Sequence, residues 1–176
     1  MSNFRNLKHY SVVIKQYTVM KQRMNFYEKG FRAMKPLFSL GAYLSRSSVD
    51  PSLLELMSFR ISQINGCAYC LDMHSKDLRA KGESEQRLYM ICAWRETTLY
   101  SQRERAALAW AEAVTKLENN EVPDDVYEKA LQAFSEEELI DLTMAVIGIN
   151  SYNRINVAFR TPAGDYVPGQ HAALLN

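Results

Sequence analysis

From about residue 26 onward, apolar side chains recur at intervals of three and four, the period of a helix with one buried face. Phe31, Met34, Leu37, Phe38 and Ala42 trace the first such stripe, and Ser47, Ser48 and Asp50 interrupt it. Asp50 followed by Pro51 predicts a new start: the carboxylate accepts an orphan N–H, and proline lacks the N–H that a first-turn residue leaves unpaired. Leu53, Leu54, Met57, Ile61 and Ile64 line the expected buried side of this second helix, with Glu55, Ser58 and Ser62 opposite. Asn65 and Gly66 form a corner, and a third helix is predicted from about Cys67 to Lys81, stopped by Gly82. Ser84 caps a short fourth helix carrying Leu88, Met90, Ile91 and Cys92, with Cys92 expected in the core. Arg95 to Tyr100 read as irregular.

Two S-x-x-E capping boxes, Ser101/Glu104 and Ser135/Glu138, open later helices. Ala106, Ala109, Ala113 and Leu117 give the first of these a narrow apolar stripe. Pro123 and Asp124 open another helix between them. The last helix ends before Pro162. Its middle, Met144 to Ile149, is apolar all round, which predicts burial in the bundle or at a subunit contact. The polar cluster Asn150, Asn153, Arg154 and Asn156 on the same helix must find partners in loops or across an interface. The pattern specifies an all-α, single-domain bundle of about seven helices. Residues 1–23 form an N-terminal arm of unknown role. Their β-branched and aromatic patch from Tyr10 to Val19 reads as a short strand or an arm laid on the body or a neighbouring subunit, with disorder as the alternative. The tail, residues 161–176, contains Pro162, Gly164, Pro168 and Gly169 and is expected to be extended or mobile.

Composition narrows the partners. Lys plus Arg number 21 against 20 Asp plus Glu, so a net charge of +1 offers no field to recruit nucleic acid or anionic membrane. The early apolar run Val12 to Ile14 is broken by Lys15, and no apolar run approaches the roughly 20 residues of a membrane helix. Three cysteines, Cys67, Cys70 and Cys92, are too few and too odd a number for a secreted disulfide scaffold. A cytoplasmic protein with a redox or metal-binding pair is expected.

The chemistry concentrates between Glu55 and Asp77. Cys67, Cys70 and His74 are three and four residues apart and share one helix face. If the helix starts at Cys67, its unpaired N–H groups and positive dipole end stabilise a thiolate, the nucleophilic form of a thiol whose ordinary pKa is about 8.5. His74 one turn beyond Cys70 can take the thiol proton as a neutral imidazole. A structural zinc site would need two more ligands; no second C-x-x-C exists, and His9 and His171 sit near the chain ends. A thioredoxin-type site needs its pair after a strand, whereas this pair is flanked by helices. Inert burial of both cysteines leaves Glu55, Asp72, His74 and Ser75 without an account. Trp94 and Trp110 read as packing anchors.

Glu55, Cys67, Cys70 and His74 resemble the E-x11-C-x-x-C-x3-H pattern of the alkylhydroperoxidase D (AhpD) core, within the carboxymuconolactone decarboxylase superfamily. The likeness extends over about Met24 to Arg160. It implies an all-helical fold, homo-oligomers that are often trimers or hexamers, and a thiol-dependent peroxidase acting on hydroperoxides. Carried over by position, Cys70 is the peroxidatic nucleophile, Cys67 the resolving thiol, and His74 with Glu55 the proton relay. No bound cofactor or metal is implied; an external dithiol donor, in this family a lipoyl group, resets the pair. Tyr69 stands where AhpD commonly has histidine and is a candidate hydrogen-bond donor to peroxide or thiolate. AhpD is longer, with a second related half. Two other functions follow from the same residues: lactone decarboxylation, as in the superfamily's namesake, whose enzymes lack the cysteine pair, and a redox-sensing oligomer or disulfide exchanger.

Overall fold

The structure, a computed structural model, describes residues 21–171. The Tyr10 to Val19 patch lies outside the described residues. Seven α-helices follow in chain order: α1 (Phe26–Leu44), α2 (Pro51–Asn65), α3 (Ala68–Ala80), α4 (Glu85–Met90), α5 (Gln102–Lys116), α6 (Asp124–Ala133) and α7 (Glu136–Phe159), with no strand among the described residues. None of these helices is long and apolar enough to cross a membrane.

The predicted punctuation is present. Asp50 caps α2 through the Ser52 N–H with Pro51 in the first turn, and both capping boxes close reciprocally. Gly66 adopts φ 65°, ψ 33°, the left-handed conformation that turns the chain from α2 into α3. Gly82, at φ 96°, ends α3 in the same way. α2 and α7 lie at the centre, with α3 and α5 packed on both of them and α1 laid along α7. One cluster joins α2, α5, α6 and α7 around Met57, Ile61, Leu108's neighbour Ala107, and Leu142. A second gathers Leu56, Leu78, Ile91 and Trp94 beneath α3, and a third seats Phe26, Met34 and Phe38 of α1 against α7.

Four expected faces differ. α2 is buried well beyond one stripe: Ser62, Leu56 and Phe59 are buried although they lie off the predicted side. Three neighbours, α3, α5 and α7, leave this helix little free surface. On α5 the buried face is Ala107, Leu108, Trp110 and Ala111, turned one residue from the predicted alanine stripe, and Leu117 is exposed. Alanine on both faces leaves the phase undetermined, and the larger Leu108 and Trp110 decide it. Phe31 is half exposed on α1. Cys92 is exposed, not in the core. The chain there leaves α4 for a 3-10 segment, Ile91–Glu96, whose three-residue period turns Ile91 and Trp94 inward and Cys92 out.

In the apolar middle of α7, Ala145, Val146, Gly148 and Ile149 are buried while Ile147 is exposed. In the polar cluster that follows, Asn150 and Asn153 find partners on α2 and α5. Asn65 donates to Asn150 Oδ1 and Asn153 Oδ1, both at 2.9 Å. Asn153 donates to Ser62 Oγ at 3.0 Å, and Asn150 to Thr115 Oγ1 at 3.1 Å. These bonds tie α7 to the end of α2, the corner from which the cysteine helix departs.

After α7 the chain turns back in extended form along α3. Gly164 N–H donates to Asp72, Lys76 donates to the carbonyls of Gly164 and Tyr166, and Tyr166 OH donates to Asp77. Tyr166 is buried.

Candidate active site

Cys67 is the N-cap of α3, its sulfur accepting the Cys70 N–H at 3.3 Å. The two cysteines are paired as a disulfide with Cα atoms 5.4 Å apart, inside the ordinary range for such a bridge. Both are buried. Cys70 in the first turn receives a second contact, from Asn156 Nδ2 of α7 at 3.5 Å. A side-chain amide and the helix N-terminus thus converge on Cys70, the arrangement that favours negative charge on sulfur.

His74 follows one turn later and is buried. Its Nδ1 lies 2.7 Å from Glu55 Oε2 on α2. With Nδ1–H donating to the carboxylate, the neutral ring carries its lone pair on Nε2, which has no hydrogen-bond partner among the described residues. Burial works against charge on Glu55, but the adjacent His74 and the more distant Lys81 outweigh it and hold the carboxyl below its ordinary range. Lys81 Nζ is 3.7 Å from the other carboxylate oxygen.

Cys70, His74 and Glu55 border a cavity of about 650 Å³ between α1, α2, α3 and α7. Its walls are largely apolar, with Leu37, Leu40, Met73 and Ile149 among them. A volume in this range suits a small organic molecule. Tyr69, between the two cysteines in sequence, faces the same cavity, and its hydroxyl lies 2.7 Å from Nε2 of His171. Burial, followed by the nearby Asp72 and Asp77 carboxylates, pushes the Tyr69 phenol above its usual value.

All five residues singled out in the sequence, Glu55, Cys67, Tyr69, Cys70 and His74, therefore meet within one region. Two further residues join them. Asn156 belonged to the polar cluster noted on the last helix, but nothing in its spacing tied it to a cysteine 86 positions earlier. His171, set aside near the chain end, returns 102 positions to Tyr69. The only sequence signal for either was polarity where an apolar or structureless residue would have served.

Comparison with known proteins places the chain among relatives of similar sequence and fold. The model of the carboxymuconolactone decarboxylase family matches residues 31–113. The uncharacterised protein YdfG of Bacillus subtilis is 41% identical over 139 residues, covering 79% of this chain and 95% of that protein. A crystal structure from Agrobacterium tumefaciens, of a protein of unknown function whose AhpD antioxidant-defence role is itself only proposed, superposes with a TM-score of 0.79 at 39% identity, over 83% of this chain and 100% of that one. Alkyl hydroperoxide reductase AhpD of Nocardia farcinica is 41% identical over 46 residues, 26% of each chain. The identity to YdfG spans nearly the whole of that relative and the AhpD-like helices superpose throughout, so the chain belongs to the carboxymuconolactone decarboxylase family and has the AhpD-like all-α fold.

Proposed function

We propose that this protein is a thiol-dependent hydroperoxide reductase. The observation that carries the proposal is the Glu55–His74 pair, 2.7 Å apart, set one helical turn from Cys70 at the wall of a mostly apolar cavity. In the reduced protein His74 Nε2 takes the Cys70 thiol proton, and Glu55 stabilises the resulting imidazolium. The thiolate attacks the terminal oxygen of a hydroperoxide, the O–O bond breaks, and Cys70 becomes a sulfenic acid. The departing alkoxide takes the proton from His74 and leaves as an alcohol. Cys67 thiol then displaces water from the sulfenic acid, forming the Cys67–Cys70 disulfide. An external dithiol, a lipoyl group in this proposal, reduces it by exchange. Such a donor belongs to a reducing compartment, and the cytoplasm is the proposed location. Assembly as a homo-oligomer, trimer or hexamer, is part of the proposal; exposed Ile140 and Ile147 on α7 offer apolar surface for it.

The test mixes reduced protein with one equivalent of cumene hydroperoxide and follows thiols and peroxide together. Because Cys92 is exposed, the measurement uses a Cys92→Ser background. Rapid loss of two thiols per subunit is expected, abolished by Cys70→Ser, with a stable sulfenic acid in Cys67→Ser. Loss no faster than that of a free thiol would end the peroxidase assignment. Lactone turnover surviving in a Cys67, Cys70 double serine variant would instead assign the chemistry in the family's name. A change of assembly between reduced and oxidised forms would point to a redox sensor.

A further inference from the structure

The Tyr69–His171 contact has no part in the cycle above, yet α3 holds the segment that makes it at several points. Asp72 Oδ2 accepts the Gly164 N–H at 2.9 Å, and Lys76 Nζ donates to Gly164 O at 2.7 Å and Tyr166 O at 3.0 Å. Asp77 accepts from Tyr166 OH at 2.8 Å and from Gly169 N–H at 3.2 Å. Three polar residues of the cysteine helix thereby serve the returning segment. Beyond Gly169 the His171 ring sits among Tyr27, Tyr69 and Tyr166, with centroids 5.6, 6.4 and 5.7 Å away. Tyr69, Cys70, His74 and His171 all border the same cavity.

We propose that His171 is a positioning residue: by donating from Nε2 to the Tyr69 oxygen, it leaves the Tyr69 O–H free to donate into the cavity, to the oxygen that departs when Cys70 attacks a hydroperoxide. The proposal rests on the peroxidase reading. A neutral imidazole has one N–H, and among the described residues only Tyr69 lies within hydrogen-bond distance of the His171 ring. Burial lowers the His171 pKa despite Asp77 nearby, and raises that of Tyr69, so both partners are neutral near pH 7. A donor aimed at the alkoxide stabilises charge that exists only as the O–O bond breaks; it accelerates that step without altering thiolate formation. The proton that finally neutralises the alkoxide is still the one removed from Cys70, so the stoichiometry is unchanged.

The test compares two reactions of reduced protein in the Cys92→Ser background: oxidation of Cys70 by cumene hydroperoxide, and its alkylation by iodoacetamide, which reads the thiolate alone. His171→Ala and Tyr69→Phe should each slow oxidation at least about tenfold, as removal of a transition-state donor does, with alkylation within about twofold of the parent. The double variant should be no slower than Tyr69→Phe, and His171→Gln, whose Nε2 can donate in the same place, should recover most of the rate. Parent-like oxidation in His171→Ala, equal slowing of both reactions, or multiplying effects in the double variant would each overturn the role of His171 while leaving a fast parent as a peroxidase. A parent no faster than a free thiol would overturn both.

Discussion

His74 has its function divided between its two nitrogens. Nδ1 is committed to Glu55 at 2.7 Å, which leaves Nε2 as the atom that the proposed cycle uses to accept the Cys70 proton. Replacing Glu55 by glutamine removes the charge that stabilises the imidazolium and lets the ring adopt the wrong tautomer. The reduced Cys70 thiol should then titrate higher, so its alkylation by iodoacetamide at pH 7 falls at least about tenfold in Glu55→Gln. The two proteins should react alike at pH 10, where the thiol ionises unaided. Asn156 acts on the same sulfur from α7, and Asn156→Ala should slow alkylation at pH 7 at least about tenfold by removing one charge-assisted hydrogen bond of about 1.5 to 3 kcal/mol. At this scale the sequence was legible wherever spacing is local. Glu55, Cys67, Cys70 and His74 lie within twenty residues, and helical period alone puts the last three on one face. Asn156 and His171 were not legible, because a contact made 86 or 102 residues away is set by packing and carries no periodic signature.

Helix ends were readable for a related reason: a cap is a contract between neighbours in the chain. Asp50 with Pro51, the two capping boxes and Gly66 all stand where residue chemistry required. Gly66→Ala meets no atom within 4 Å, so its cost is purely the left-handed backbone, about 1 kcal/mol by thermal melting. Helix phase was harder, since α5 offers alanine on both sides and α2 has three neighbours to satisfy. The same crowding explains Glu112, which would look misplaced on the buried face of α5. Its carboxylate accepts from Arg60 at 2.6 Å, Arg95 at 2.5 Å and Trp94 Nε1 at 3.1 Å, tying α5 to α2 and the 3-10 segment. Burial opposes the charge, but these donors prevail and depress the Glu112 pKa. A depressed carboxylate contributes its stability above its unfolded pKa, about 4.3, and loses it as pH falls through the lower folded value. Glu112→Gln should therefore cost about 3 kcal/mol near neutral pH. Its unfolding curve should converge with the parent's in strong acid.

Across the whole molecule, the apolar pattern foretold a helical bundle but not a cavity. Periodicity reports which side chains turn inward; it is silent on whether they meet. Here α1, α2, α3 and α7 stop short of closing on one another, and Tyr166, Pro168, Gly169 and His171 complete the wall. Deleting the chain after Arg160 should leave the seven helices folded, with near-parent helicity by circular dichroism. The truncated protein loses Tyr166, Pro168 and His171 from the cavity wall, so its reduced Cys70 should be oxidised by cumene hydroperoxide at least about tenfold more slowly in the same thiol count. That closing segment follows the last helix, so no helix-to-helix packing fixes its length or composition. Substitutions at Pro168 and Gly169 would therefore reshape one wall of the cavity while leaving the Glu55–His74 pair in place.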